Sequence, residues 1–549
     1  MITHGFKKIT PLNGFSSDKG NARQNDYAWA MEELGDYLYT GTGRNIPNLA
    51  FDGLGLPVPK AFLPNDDYRA EIWRLKKDGG TDWELDFKTP SKSYGFRYMI
   101  QFPENSRSKR ALYAAATSSD GSKAVIYRRT VSSGWSVFAE LEGGSSRSMV
   151  EHLGRLYVAT VPLTSAGNVP KLFILNESQT SFEAVSLPPA ITGEITSMIS
   201  FNNRLYIGLA KEDGLDVWRT DGAEPCSGWK LVVDKGAGDA INSIPFVMDQ
   251  FEGAIYLGTG MIPFLPLLSG VPVITKGFDM IKISRNDTWK VVVGGLPMKR
   301  TKPSTGQRNL AMIPSGFGNP FNVYCWQIRS YKGSIYAGSF DWTSVIPPAL
   351  QSLCEAIWDG EADALLTFDE EVKTALESLP HLKLSALHPL LLSLLNTQHG
   401  LVEKLNEGVG LAADRLPYSK ALLRLLKETW NGQKHNKGME KDYKLQIPGL
   451  LSGFDLWKSG NGCIWLPVSL NGFGNPENYG VRNLFSSKNG KLYLGTANPF
   501  HGCEVWEKDS GKDPKLPLLQ TWKTLEQLHA DLKTIHQLKN RFLKRKQKK

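Results

Sequence analysis

Short apolar runs separated by turn residues fill most of this chain, and they recur in a fixed order. The first run reads LYTGT at Leu38, LYAAAT at Leu112, LYVATV at Leu156, LYIGLA at Leu205, IYLGTG at Ile255, IYAGSF at Ile335 and LYLGTA at Leu492. The second follows as AEIWRL from Ala70, AVIYRR from Ala124, KLFIL from Lys171, LDVWRT from Leu215, FDMIKI from Phe278, FDLWKS from Phe454 and CEVWEK from Cys503. Aromatic and β-branched residues in runs of this length predict strands. A third run (DWELDF, GWSVFAEL, SFEAVSL, GWKLVV, TWKVVVGG) and a run ahead of each LY pair (SMVEHLG, SMISFNN) bring the count to four strands per unit. The seventh unit has no clear fourth strand after CEVWEK, while GFKKITPLNGF near the N-terminus has that strand's character and no unit of its own. The N-terminal strand is therefore expected to complete the last unit, which leaves few free sheet edges.

The pattern changes in the sixth unit. Between IYAGSFDW and GFDLWKS, leucine recurs at three- and four-residue spacing through PPALQSLCEAIW, DALLTFDEEVKTALESL, SALHPLLLSLLNTQ and SKALLRLLKETW. That period predicts amphipathic helices, punctuated by Pro347, Pro380 and Pro417. A last helical pattern places Trp522, Leu525, Leu528, Leu532, Ile535, Leu538 and Phe542 on one face. The expected organisation is repeat units one to five and half of unit six over 1–346, a helical insert over 347–445, the rest of units six and seven over 446–515, and a basic amphipathic helix over 516–549.

Self-similarity at a period of 40 to 50 residues, with four strands per repeat, points to a propeller. The fold class expected is an all-β seven-bladed propeller with an inserted α-helical bundle and a C-terminal helix. The layout resembles the seven-bladed propellers of the kelch and WD-repeat superfamilies, and the LYxGT and EVW repeats are similar to those of uncharacterised bacterial propeller proteins. The resemblance is architectural. The Gly-His/Trp-Asp signature, the paired-glycine kelch signature and YWTD are all missing, so it implies no chemistry.

Composition adds limits rather than an identity. The chain has 549 residues, 41% hydrophobic and 22% charged, an ordinary globular balance. Its net charge of +9 owes much to KNRFLKRKQKK, whose last eleven residues hold seven Lys or Arg. This end is a solvated tail or a contact for a partner or an anionic surface. Five cysteines without CxxC spacing suggest neither a disulfide framework nor a zinc site. No apolar run spans a bilayer and none resembles a secretory signal, so a soluble, cytoplasmic protein is expected.

Candidate site residues come from the geometry of such a ring. Counting nine residues back from the LY pair gives Trp29, Arg147, Thr196, Phe246 and Trp326, and the equivalents in the two irregular units are Arg97 and Arg482. Arginine suits a carboxylate or phosphate, and aromatic faces suit a flat or cationic group. Asp26, Asp341, Trp342 and His501 project near the same mouth, which also receives the apolar loops GRNIPNLAFDGLGLPVPKAFLPNDD and GMIPFLPLLSGVPVITKG. Exposed, those loops would be costly, so they are expected to pack beneath the helical insert as a lid or as an enlarged core.

The chain contains no GxSxG, HExxH, P-loop or GxGxxG opening a helix, and no cofactor or metal is expected. His501 and Cys503 form at most a weak nucleophile–base pair, and the two GFGNP copies read as turn chemistry. The expected function is a binding protein that holds a mainly apolar small molecule or peptide, with or without an anionic group, at the covered face. The alternative is an enzyme, a lyase, cyclase or hydrolase, acting in the same pocket.

Overall fold

A computed structural model describes residues 5–53, 58, 62, 67–104, 109–118, 120–162, 169–222, 226–261, 276–295, 309–319, 321–344 and 452–508. The expected helical insert, the basic C-terminal helix and most of the two apolar loops lie outside the described residues.

After a short opening strand, β1 (Phe6–Lys8), the strands fall into antiparallel sets of four. The first contains β2 (Asn25–Leu34), β3 (Tyr37–Arg44), β4 (Glu71–Lys76) and β5 (Trp83–Lys88). The second contains β6 (Phe96–Pro103), β7 (Arg110–Thr117), β8 (Lys123–Thr130) and β9 (Ser136–Glu142). Next come β10 (Ser145–His152), β11 (Arg155–Val161), β12 (Lys171–Leu175) and β13 (Phe182–Ala184). They are followed by β14 (Glu194–Phe201), β15 (Arg204–Ala210), β16 (Asp216–Arg219) and β17 (Lys230–Val233). A further set holds β18 (Ile244–Phe251), β19 (Ala254–Gly260), β20 (Met280–Ser284) and β21 (Trp289–Val293). Then come β22 (Asn322–Tyr331), β23 (Ser334–Asp341), β24 (Leu456–Ser459) and β25 (Trp465–Ser469). The last set has β26 (Gly480–Ser486), β27 (Leu492–Ala497) and β28 (Val505–Lys508), with β1 paired to β28 as its fourth member, Phe6 opposite Lys508.

These sets are consistent with a β-propeller. The first strands touch one another in the cyclic order β2, β6, β10, β14, β18, β22, β26 and back to β2. Strands β23 and β24, which flank the long segment between them, pair directly, with Gly338 opposite Leu456.

The repeated LYxG has a packing cause. Its Leu or Ile and its Tyr are buried in every set, from Leu38 and Tyr39 to Leu492 and Tyr493. The small residue two places beyond the Tyr lies where the next set's first strand presses in. A Cβ on Gly41 would come within 2.5 Å of Phe96 Cβ, and one on Gly258 within 2.7 Å of Cys325 Cβ. At Gly338 the nearest atom is Val481 Cβ at 2.4 Å, and at Gly495 it is Ala28 Cβ at 2.7 Å.

The repeated acid-x-Trp also has a cause. Glu71 and Glu504 are buried at the head of a third strand, and each accepts the indole N–H two residues on, from Trp73 at 2.9 Å and Trp506 at 3.0 Å. An asparagine entering the first strand fastens the same carboxylate to the preceding turn. Asn25 donates to Gly14 O and Glu71, Asn242 to Gly236 O and Asp279, Asn322 to Gly316 O and Asp455, and Asn478 to Gly472 O and Glu504. The two GFGNP copies are these turns. Phe317 and Phe473 adopt φ of 56° and 58° there while remaining buried.

Because the space at Gly338 is filled by a backbone-anchored Val481, Gly338→Ala should overpack the junction and destabilise the fold by about 1–3 kcal/mol. Gly460→Ala, with nothing within 4 Å of its added Cβ, should be close to neutral. Chemical denaturation of the two variants checks the contrast.

Candidate functional site

Each of the first strands carries a β-bulge, and in every one the extra residue falls at the same level. The register skips Trp29 between Ala28 and Ala30, Arg97 between Phe96 and Tyr98, and Arg147 between Ser146 and Ser148. It skips Thr196, Phe246, Trp326 and Arg482 in the same way. A bulge leaves one residue out of the ladder and re-aims its side chain. All these side chains line one cavity of about 330 Å³, whose walls come from all the first strands. The fixed count of nine residues missed Arg97 and Arg482 because their hairpins are longer, running from Pro103 to Arg110 and from Ser486 to Leu492. The bulge marks the level whatever the hairpin length.

The guanidiniums of this tier lie over aromatic faces. Arg97 sits 5.2 Å from the Trp29 ring centre, Arg147 5.5 Å from Phe246, and Arg482 5.1 Å from Trp326 and 5.4 Å from Trp29. Arg97 donates to Ser145 Oγ at 3.3 Å, while its Nε and that of Arg482 are buried without an acceptor. No carboxylate among the described residues lies within ion-pair distance of the three. Burial and mutual repulsion depress their basicity. Arg97 is held well below the usual arginine range by burial, Arg147 and Arg482, and Arg482 is pulled down to about 9 by burial and Arg147. Arg147 is lowered by burial alone and is supported by the more distant Glu194. Glu194, which the repeat pattern did not single out, is raised by burial and drawn back by Arg147 and Arg97.

The Trp29, Phe246 and Trp326 rings of the cavity belong to a larger aromatic cluster. Trp326 stacks on Phe340 at 4.6 Å, Tyr324 on Phe340 at 4.9 Å, and Phe246 lies 4.4 Å from Tyr324. Tyr27 and Tyr479 join through their hydroxyls, and Trp342, Phe62, Ile46 and Val58 pack on the same cluster. Burial pushes the Tyr27, Tyr324 and Tyr479 hydroxyls up, so they are neutral donors or acceptors near neutral pH.

The other candidates are placed differently. Asp26 is buried beside the cluster and accepts Ile46 N at 2.7 Å, with its second oxygen unpartnered. Asp341 is buried at the end of β23, holding Asn319 and Thr343 rather than facing the cavity. Trp342 belongs to the aromatic cluster. His501 is exposed and pairs with Glu477 at 3.0 Å, whereas Cys503 is fully buried with its thiol raised by burial, so the two do not form a nucleophile–base pair.

The cavity is also lined by Glu32, Glu151, Asp249, Gln327 and Arg329. Asp249 is held by Ser330 N at 2.5 Å and lies 3.8 Å from Arg329, and Glu151 lies 3.5 Å from Arg110. Glu32 accepts Glu33 N, and no cation among the described residues lies within ion-pair distance of it. Burial pushes it up to about 7. Among the described residues there is no cluster of three or more His, Cys, Asp or Glu suited to a metal, and no helix is long and apolar enough to cross a membrane.

No protein-family model matches this chain, and no curated protein matches it. Among solved structures it is similar to YjhT, at 9% identity over 61% of this chain and 93% of that one, with a TM-score of 0.36. It is also similar to a 6-phosphogluconolactonase-like protein from Bacteroides uniformis, at 11% identity over 56% and 77%, with a TM-score of 0.35. A third is a GH43_1 enzyme from Xanthomonas citri complexed with xylose, at 12% identity over 46% and 83%, with a TM-score of 0.26.

Glu32 yields a pH test. Its folded-state value lies near 7, above about 4.3 for the unfolded chain. The folded state therefore binds this proton more tightly, and the stability it confers is full below about pH 4.3 and lost as pH rises through 7. Glu32→Gln should flatten that decline and be the more stable form at pH 8, by roughly 1–3 kcal/mol after allowance for solvent. Urea midpoints at pH 5 and pH 8 measure the difference.

Proposed function

We propose that the four-strand sets are the blades of a seven-bladed propeller whose central channel binds an anionic ligand with a flat, mainly apolar body. One observation carries this reading: three guanidiniums converge on one cavity with no carboxylate among the described residues in contact. Like charges brought together out of water repel, and a structural arginine is normally paired. An incoming carboxylate or phosphate would supply the missing counter-charge through bidentate hydrogen bonds. The Trp29, Phe246 and Trp326 rings offer flat apolar walls beside it. In this reading the segment 347–445 is a helical lid above the aromatic cluster, and the ligand is a small molecule or the end of a peptide.

Glu32 favours a second reading, an enzyme acting in the same channel. A carboxyl that titrates near 7 in a cavity with arginines is placed to move a proton at neutral pH. The two readings part on turnover: a binding protein returns its ligand unchanged, and an enzyme would lose turnover in Glu32→Gln with its affinity kept.

Titration calorimetry with benzoate and with inorganic phosphate tests the anion site. A charge-assisted hydrogen bond contributes about 1.5–3 kcal/mol, so Arg147→Met should weaken binding about ten- to a hundredfold and leave the melting temperature of the ligand-free protein unchanged or raised. A lowered melting temperature with unaltered affinity would mean that Arg147 serves the fold. Replacing residues 345–451 with a short Gly-Ser loop should leave a folded ring, because β23 and β24 pair without it, and should weaken benzoate more than phosphate. Global unfolding of that variant would remove the lid reading.

A further inference from the structure

The carboxylates at the heads of the third strands are buried, and the fold neutralises them with a cation in set after set. Glu71 has Arg44 at 3.4 Å and Lys88 at 3.1 Å, Asp216 has Lys211 at 2.9 Å, Asp279 has Lys276 at 2.8 Å, and Glu504 has Lys8 at 3.1 Å. In two sets the cation closes a triangle with the latching asparagine. Arg44 Nη1 donates to Asn25 Oδ1 at 2.8 Å, and Lys276 Nζ donates to Asn242 Oδ1 at 3.0 Å. In the last set the donor to Asn478 Oδ1 is Asn498, at 3.0 Å.

The set of β22 to β25 breaks this rule. Asp341 stands opposite Asn322 in the ladder, where Arg44 stands opposite Asn25. Ser452 opens SGFD, where Lys276 opens KGFD. Both cationic positions have therefore lost their charge, and one has gained the opposite charge. No Lys or Arg among the described residues lies within ion-pair distance of Asp341 or Asp455. Asn322 Nδ2 still donates to Asp455 Oδ2 at 2.7 Å, but Asn322 Oδ1 is buried with no donor. Asp341 accepts from Asn319 Nδ2 and from Thr343 N and Oγ1. Asp455 N is held by Ser339 Oγ. All three residues are buried, at 0%, 0% and 5% exposure for Asn322, Asp341 and Asp455.

We propose that Asp341, Asp455 and Asn322 Oδ1 bind a hard divalent cation, Ca²⁺ or Mg²⁺, at the place that the Arg44 guanidinium and the Lys276 ammonium fill in two other sets. The donors are carboxylate and amide oxygens, the ligands such ions take, with water completing the shell. The charge also fits. Elsewhere each buried carboxylate has at least one side-chain cation beside it, Arg44 and Lys88 at Glu71 and Lys276 between Asp239 and Asp279, and a divalent ion would supply that charge to the two carboxylates here. Without it, each carboxyl must hold a proton or remain an uncompensated buried charge. This site is independent of the channel.

The test uses the full chain, stripped with chelator and titrated with CaCl₂ and with MgCl₂ at pH 7.5, read by calorimetry and by the melting temperature. The expected result is uptake of one ion per chain and a melting temperature that rises with ion concentration. Asp455→Asn should lower the affinity at least tenfold. Asp341→Arg restores the Asn25–Arg44–Glu71 pattern, so it should fold, melt at or above the ion-free wild type and no longer respond to either ion. Wild-type protein that takes up neither ion would overturn the proposal, as would an Asp341→Arg variant that keeps the full response. If Asp455→Asn fails to fold, the Asp341→Arg comparison decides.

Discussion

The structure depends on a missing side chain. At Gly41, Gly208, Gly258, Gly338 and Gly495 a Cβ would meet atoms of the neighbouring first strand at 2.4 to 2.8 Å. In the other two sets alanine takes the place opposite the bulge, as Ala115 and Ala159. Sheets can approach this closely only where one strand offers nearly bare backbone. The approach lets the first strands touch in cyclic order and enclose a cavity. The side chains that line this cavity are set by how those strands then present them.

The bulges solve the problem that close approach creates. A first strand packed against its neighbours on both faces has no side chain free to point along the ring's interior, because regular alternation sends each one to a face. One residue outside the ladder in each strand escapes that alternation. Since the bulge lies at one level in every strand, the released residues form a tier, and their identities vary freely: tryptophan, arginine, threonine or phenylalanine. The scaffold therefore constrains the level and leaves the chemistry open.

The repeat was legible because its causes are local. Leu-Tyr-x-Gly records a buried hairpin and a close contact, and Glu-x-Trp in the first and last sets records a hydrogen bond between residues two apart, so both survive as strings. The pairing of the opening strand with β28 was legible as a strand without a sheet beside a sheet without a strand. The bulges left no string. Nothing in Ser146-Arg147-Ser148 distinguishes a skipped residue from a paired one, and counting from Leu156 found Arg147 only because that hairpin is short. Glu194 and Glu32 lay hidden for a different reason, since their character comes from burial by distant strands. Asp341 shows the converse: the sequence pattern aims it at the mouth, and the register puts it opposite Asn322, inside a latch.

Two electrostatic regimes coexist in one fold, and the contrast gives each its meaning. Around the heads of the third strands, charge is matched at close range: Arg44, Lys211, Lys276 and Lys8 each sit within 3.4 Å of a buried acid. The chain is thus able to pair its buried charges, and does so repeatedly. In the channel it does not. Arg97, Arg147 and Arg482 face one another with Glu194 too distant for a contact, and the basicity of all three falls. A tier of paired residues would be more stable, so leaving it unpaired is destabilising unless a counter-charge arrives from outside. The same reasoning applies where the latch of β22 to β25 lacks its cation. In both places the proposed ligand rests on the departure from the protein's own rule rather than on any catalytic motif, and the sign of the missing charge sets the class proposed: an anion in the channel and a cation at the latch.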